Sequence, residues 1–377
     1  MTTAAGAPAA VMHLIDTGGP GGAETVFAEL LSRIGQGTLN AFPIVPREGW
    51  LSGQLRSRGF EPVILESRGS LNAGYFSALL KLARQRRVRL IHTHLLGSGV
   101  YGAMVGLAAR VPVIAVMHGP TDLRAPGRFA SIKRWLLRHG CSAIVAVSTS
   151  TRDALVSFGI DSGAITLIRN GVDTALFSPG RAEDLRQELG ISPDELVIGA
   201  IGNIRTPKAY DVLLKAAKLV LDRVPRARFL VVGEGDEQVL QPLLQLRAQL
   251  GIEARFQFLG FRKSTSTLYH NFDVFVSSSR TEGLSLSFLE AMATGRAIVA
   301  TRSGGAEEGI EPDVSGVLTP IEDPPALAAA LERVLNDADL RQRLGEAARA
   351  RVVQSFSLEA TIGEYEALYR KVLARGR

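Results

Sequence analysis

The chain has 377 residues, enough for two domains of similar size, which excludes a single small module. With 46% hydrophobic and 21% charged residues it can bury sizeable cores, and with one cysteine, Cys141, and no Cys/His cluster at zinc-site spacing it is neither a disulfide scaffold nor a structural zinc domain. The net charge of +6 is uneven: residues 1–180 hold 18 Lys/Arg against 10 Asp/Glu and the remainder 25 against 27, so a basic first half precedes a slightly acidic second half.

The opening MTTAAGAPAA lacks the basic region and apolar core of a signal peptide and runs into Val11–Asp16, which reads as a buried strand, so a reducing, cytoplasmic setting is expected. Short Val/Ile-rich runs then recur between segments of helical period: VMHLID at 11, FPIVP at 42, EPVILE at 61, RLIHTH at 89, VPVIAVMH at 111, AIVAVS at 143 and ITLIRN at 165. Runs of this kind separated by helices predict a parallel α/β sheet. The longest apolar stretch, Leu95 to Ala109, holds four glycines and falls short of the roughly 20 residues that span a bilayer. After a polar stretch around Ser178 to Asp194 the rhythm restarts with LVIGAIG at 196, RFLVVG at 228, RFQFLG at 255, DVFVSSS at 273, RAIVAT at 296 and GVLTP at 316. Two doubly wound domains in tandem are expected. Helices at about 324–336, 339–353 and 358–375 close the chain, the last amphipathic through Ile362, Tyr365, Leu368 and Val372.

Two stretches of the first half carry bases and no acid, Lys81 to Arg89 and Arg124 to His139. In the second, Phe129, Ile132, Trp135 and Leu136 share one helical face beside Lys133, Arg134 and Arg138. The ordinary reading buries that stripe in the core. The alternative is a face that meets anionic lipid headgroups. Nucleic acid is not expected as a partner, because no aromatics are interleaved with the bases for stacking.

Ligands of open α/β sheets bind beyond the carboxyl ends of the strands, so the residues after each run carry the chemistry. After the first run comes TGGPGGAETVFAEL, whose Gly18, Gly19, Gly21 and Gly22 would let backbone N–H groups approach an anion at a helix N-terminus. It is not the dinucleotide fingerprint, since Glu24 stands where the last glycine of GxGxxG belongs. His118 ends the run at 111, and His92 and His94 point to one side of theirs with no third metal ligand spaced to join them. In the second half, GNIRTPKAYDV places Arg205 and Lys208 just before a helix, where two cations suit a diphosphate. The segment EGLSLSFLEAMATG sets Glu282 and Glu290 eight residues apart around a helix start, roughly 7 to 10 Å at helical rise. Each carboxylate can accept two hydroxyls of a vicinal diol while the helix N-terminus faces phosphate, a layout that fits a nucleotide sugar. Asp337 and Asp339 form a DxD, read as chance because it lies in a late helix connection.

Taken together, GGAE at 21, HG at 118, VSTS at 147, NGVD at 170, GNIRTPK at 202, VVGEGD at 231, FLGF at 258 and EGLSLSFLEAMATG at 282 resemble the retaining nucleotide-sugar glycosyltransferases of family 4 over nearly the whole chain. The resemblance implies a GT-B fold, with a Rossmann-like acceptor-side domain at 1–180, a donor domain at 181–355 and a helix at 356–377 crossing back to the first. It implies that Glu290 binds the nucleotide ribose, that Glu282 contacts the donor sugar with the N–H groups of Gly283, Leu284, Ser285, Leu286 and Ser287, and that His118 lies at the sugar's reactive end. It implies too that Arg205 and Lys208 clamp the diphosphate and that Gly21, Gly22, Gly233, Phe261 and Arg262 lie around the donor. The family's G-R-x-x-x-x-K-G has Asn203 in place of its Arg and Ala209 in place of its second Gly, so the arginine would be Arg205; its E-G-x-P has Ser285, a hydroxyl able to cap the helix.

The expected reaction is transfer of a hexose from a nucleoside diphosphate sugar to an acceptor hydroxyl, on a glycan or lipid-linked precursor, giving an α-glycoside with neither cofactor nor metal. The competing readings are a nucleotide-sugar 2-epimerase of the same fold, a nicotinamide-dependent oxidoreductase, for which the glycine spacing is wrong, and a noncatalytic sugar-nucleotide binder.

Overall fold

The structure, a computed structural model, describes residues 8–66, 72–123, 129–182, 184–263 and 266–375. Each of the thirteen apolar runs is a strand. The first seven are β1 (Ala9–Ile15), β2 (Leu39–Val45), β3 (Val63–Ile64), β4 (Leu90–His94), β5 (Val113–Met117), β6 (Ala143–Ala146) and β7 (Ile165–Leu167). They form one parallel sheet in the order β3-β2-β1-β4-β5-β6-β7. The remaining six are β8 (Leu196–Ile201), β9 (Ala227–Val232), β10 (Phe256–Phe258), β11 (Val274–Ser277), β12 (Ala297–Thr301) and β13 (Val317–Thr319). These form a second parallel sheet in the order β10-β9-β8-β11-β12-β13. Covered on both faces by helices, the central strands β4, β5, β6 and β12 are buried along their whole length, which is why their sequences run apolar without alternation. In each sheet the strand order reverses once, between β1 and β4 and between β8 and β11, the position at which open α/β sheets bind their ligands.

The chain divides into two compact units, residues 1–170 with 360–377, and residues 171–359. The first boundary falls ten residues before the expected one, because the segment after Asn170 is bonded to the second unit. The Val172 N–H donates to the Phe356 carbonyl, and Arg349 donates to the carbonyls of Thr174 and Phe177. The C-terminal helix Leu358–Arg375 groups from Ala360 onward with the first unit, where Glu366 accepts the Gly35 N–H and Thr361 donates to the Arg169 carbonyl at 3.1 Å.

The helix Ala130–Gly140 departs from its ordinary reading. Only Leu136 and Leu137 are buried, while Phe129, Ile132 and Trp135 are 39%, 48% and 55% exposed. The other basic residues of that stretch, Arg124 and Arg128, lie outside the described residues. No helix among the described residues is long and apolar enough to cross a membrane. The DxD is a helix cap, with Asp337 accepting the Leu340 N–H at 2.8 Å.

Candidate active site

At the carboxyl edge of the second sheet, glycines allow neighbouring loops to touch. Gly233, just after β9, has φ +150°, and a Cβ there would overlap the carbonyl oxygen of Gly202 at the end of β8. The chain then makes a short turn, Thr206–Lys208, and Ala209 follows in the left-handed conformation, φ 52°, the position where the glycine of the resembling motif stands. A side chain held there costs about 1 to 2 kcal/mol, and surrounding bonds must hold it. Arg280 supplies several of them: its N–H donates to the Pro207 carbonyl at 2.7 Å, and its guanidinium to the Thr206 carbonyl at 2.9 Å and to Asp211 at 2.7 Å. The Ser278 hydroxyl adds a bond to the Lys208 carbonyl at 2.9 Å.

This turn delivers Lys208 to Glu282. Its ammonium lies 2.6 Å from the carboxylate, which also accepts from the Ser279 hydroxyl at 3.1 Å, and both charged side chains keep about a fifth of their surface exposed (21% and 23%). The backbone of Glu282 is pinned on both sides, its N–H to the Ser303 carbonyl and its carbonyl accepting from Gly305. A Cβ on Gly305 would overlap the Gly283 carbonyl oxygen, so this second crossing also requires glycine.

Gly283 and Leu284 are buried under that crossing, and Ser285 begins the helix Leu286–Ala293. The Ser285 hydroxyl makes no cap bond. It sits 3.1 Å from the Ser287 hydroxyl instead, so the first-turn N–H groups keep their positive end open. One turn further, Glu290 accepts the Tyr269 hydroxyl at 2.5 Å with one oxygen, leaving the other for a ligand. Burial pushes its carboxyl up to about 7 against the opposing effect of that hydrogen bond.

Of the other residues singled out in this unit, Arg205 is exposed at the start of the turn and, among the described residues, its guanidinium has no ion-pair or hydrogen-bond partner. Phe261 is 37% exposed. Arg262 is held by both oxygens of Glu188, at 3.0 and 2.7 Å, which raises its pKa. Its charge is therefore already engaged.

In the first unit, Gly21 and Gly22 begin the helix Gly22–Arg33. A Cβ at Gly22 or Gly19 would meet open space, whereas one at Gly21 would strike the Glu24 carboxylate. His118 follows β5, partly exposed, with Nε2 2.8 Å from His94 Nδ1 and the two rings stacked at 5.0 Å. Burial lowers its pKa to about 3, so it is a neutral imidazole over the physiological range. The structure also corrects the reading of His92 and His94 as lacking a third partner. His13 on β1 pairs in register with His92, a juxtaposition that strand order creates and sequence spacing cannot reveal. The sequence reading missed Tyr269 and Arg280 as well. Arg280 stands two residues before Glu282 in SSSRTEG, a local signal, while Tyr269 reaches Glu290 across 21 residues with none.

Residues 20–176 match the family described as Glycosyltransferase Family 4, and residues 181–351 the one described as Glycosyl transferases group 1. The chain is 30% identical over 304 residues to N-acetyl-alpha-D-glucosaminyl L-malate synthase of Bacillus anthracis, covering 79% of this chain and 78% of that protein. It is 29% identical over 327 residues to D-inositol 3-phosphate glycosyltransferase of Corynebacterium jeikeium, covering 81% and 78%. Anabaena Alr3699/HepE, solved in complex with UDP-glucose, superposes with a TM-score of 0.86 over 96% of this chain and 99% of its own, at 24% identity. That likeness is one of fold, and it is the GT-B fold, two Rossmann-like parallel-sheet units.

Proposed function

Because this chain belongs to glycosyltransferase family 4, we propose that it moves a hexose from a nucleoside diphosphate sugar to an acceptor hydroxyl with retention of configuration. The observation that carries this reading is the Lys208–Glu282 pair, 2.6 Å apart, beside the open first turn of the helix that bears Glu290. An ammonium has three donors, and Lys208 gives one to Glu282, leaving two for phosphate oxygens. Arg205 brings a second cation from the start of the same turn, and the helix N-terminus a third positive end. Glu290 keeps one oxygen for the ribose hydroxyls, and Glu282 meets the donor sugar. The names of the relatives, which specify glucosaminyl and glycosyl transfer, support a sugar donor, and the UDP-glucose bound by HepE supports a nucleoside diphosphate as its carrier.

In the step proposed, the bond between the anomeric carbon and the β-phosphate oxygen breaks. The acceptor oxygen bonds to the same face, and its proton passes to the departing phosphate. Lys208 and Arg205 stabilise the charge that develops on that phosphate, a role in which one lost donor costs about 3 to 4 kcal/mol. The ion pair of Glu282 with Lys208, and the assignment of Glu290 to the ribose rather than the anomeric carbon, support same-face attack over a covalent glycosyl-enzyme. The test is the product's anomeric configuration by NMR, with UDP-glucose and UDP-N-acetylglucosamine as first donors and EDTA present. An α-glycoside formed at an undiminished rate is expected. A β-glycoside from the α-linked donor, or a strict need for added Mg²⁺ or Mn²⁺, contradicts the reading.

The acceptor proposed is lipid-linked, met at an anionic cytoplasmic membrane surface. Phe129, Ile132 and Trp135 stand exposed on one helix with Arg134 and Arg138, and this arrangement of apolar anchors with bases is what adheres to anionic lipid. A cavity of about 410 Å³ in the same unit is lined by Arg138, His139 and Lys371 with Leu137, Leu368 and Val372, a setting suited to an anionic headgroup. Co-sedimentation with phosphatidylserine vesicles at low salt is the measurement. Binding should fall at high salt, with neutral vesicles, and when Trp135, Arg134 and Arg138 become Ser. Equal, negligible binding to both vesicle types would sink the membrane reading and leave the transferase reading standing.

A further inference from the structure

Three imidazoles meet inside the first sheet, and the transfer proposed above assigns none of them a role. His92 and His94, two apart on β4, share one face of the sheet, and the register His13↔His92 and Ile15↔His94 sets His13 beside them on that face. All three are at most 1% exposed. One ring nitrogen of each lies within 4.8 Å of the others.

Their remaining bonds follow a pattern. His92 Nδ1 is 2.5 Å from the Tyr369 hydroxyl, and His94 Nδ1 is 2.8 Å from His118 Nε2. Among the described residues, the nitrogens His13 Nδ1, His92 Nε2 and His94 Nε2 have no hydrogen-bond partner. Buried polar atoms are almost always partnered, so three such nitrogens in a single cluster call for an occupant. A metal-bound imidazole keeps one nitrogen for the ion and gives its other N–H to a neighbouring acceptor, and His92 with Tyr369 and His94 with His118 already stand in that relation. Burial holds all three rings neutral, which is the ligating form.

We infer that His13, His92 and His94 form a three-imidazole site for a borderline divalent transition metal of the Zn²⁺ or Co²⁺ class. Three nitrogens and no carboxylate select such an ion over Mg²⁺ or Ca²⁺, and a water fills the fourth position. Zn–N bonds of about 2.0 to 2.1 Å in a tetrahedron bring the nitrogens to roughly 3.4 Å from one another, so the rings close in by about an ångström. The ion cross-links β1 to β4 and, through Tyr369, ties the C-terminal helix to them. No step of the proposed transfer passes through it. Because the site has no exposed ring, the ion enters as the chain folds.

The test is the full chain produced in Zn²⁺- or Co²⁺-supplemented medium and dialysed, its metal content measured by mass spectrometry. One ion per chain is expected, with the visible absorption of tetrahedral Co²⁺ and a higher Tm than the chain grown without metal. His13→Gln/His92→Gln should lose both the ion and the absorption, while His139→Gln, an exposed histidine outside the cluster, keeps them. Wild-type chain that carries no metal and shows no Co²⁺ absorption overturns the inference, and that result needs no variant to fold. Undiminished metal in His13→Gln/His92→Gln overturns it equally. Donor turnover is measured on the same samples, so that failure of the metal site and failure of the transferase reading are separately visible.

Discussion

At the carboxyl edge of the second sheet, the charged chemistry comes from short, contiguous pieces of chain: Lys208 on one turn, Glu282 and Glu290 on one loop and helix. The polar cluster of the first sheet is assembled differently, from His13 on β1, His92 and His94 on β4, His118 after β5 and Tyr369 on the last helix. The second arrangement is charged, partly exposed and suited to a polyanion. The first is neutral, buried and suited to a soft or borderline cation. The two proposals thus give one architecture opposite ligand chemistries, because the side chains a sheet carries, rather than the sheet itself, decide what it can bind.

The comparison breaks most visibly at Lys208. Lys208→Ala removes a donor aimed at developing charge and should lower kcat by hundredfold or more, about 2.7 kcal/mol, in steady-state kinetics. Unchanged kcat there would weaken the contrast, since the Lys208–Glu282 pair would then not be where the developing charge is met.

Stability separates the two glycine-rich regions. Gly233→Ala forces a Cβ against the Gly202 carbonyl and should cost about 1 to 3 kcal/mol by denaturant unfolding. Gly22→Ala in the first unit meets open space inside a helix and should leave stability unchanged or raise it by about 0.5 to 1 kcal/mol. Equal losses in both would mean that the loops are built alike.

The pH response isolates Glu290. Its folded pKa is raised from 4.5 to about 7, so the stability tied to its protonated form is complete below pH 4.5 and is lost as pH climbs through about 7. Glu290→Gln should remove about 1 to 3 kcal/mol of that slope between these limits, read as the difference in Tm against pH between variant and wild type. A parallel pair of curves would show that the carboxyl is solvated.

How legible each region was follows from the same contrast. All thirteen strands and the closing helices could be read because apolar runs and the 3.6-residue period are local properties. The roles of Lys208, Glu282 and Glu290 were suggested by segments that carry them whole. Their partnerships were not: Lys208 meets Glu282 across 74 residues, and Glu290 takes Tyr269 from another element. The Ser285 hydroxyl is able to cap its helix but turns to Ser287, a choice of rotamer that no pattern encodes. The stripe of Phe129, Ile132 and Trp135 has the period of a core face, yet it is exposed, because Leu136 and Leu137 alone supply the burial. His13 joined its cluster only through the order β2-β1-β4, which sets strands together without regard to sequence separation.

The central claim is that the second unit's Lys208, Glu282 and Glu290 hold a nucleoside diphosphate sugar. Its most direct test is a thermal-shift titration of the wild-type chain and of Glu290→Ala with a panel of UDP-, GDP- and ADP-sugars. One donor should raise the wild-type Tm, by the equivalent of about 2.7 kcal/mol at a hundredfold excess over Kd, and Glu290→Ala should need at least tenfold more of it for the same shift. A donor that stabilises Glu290→Ala as well as the wild type would contradict the account.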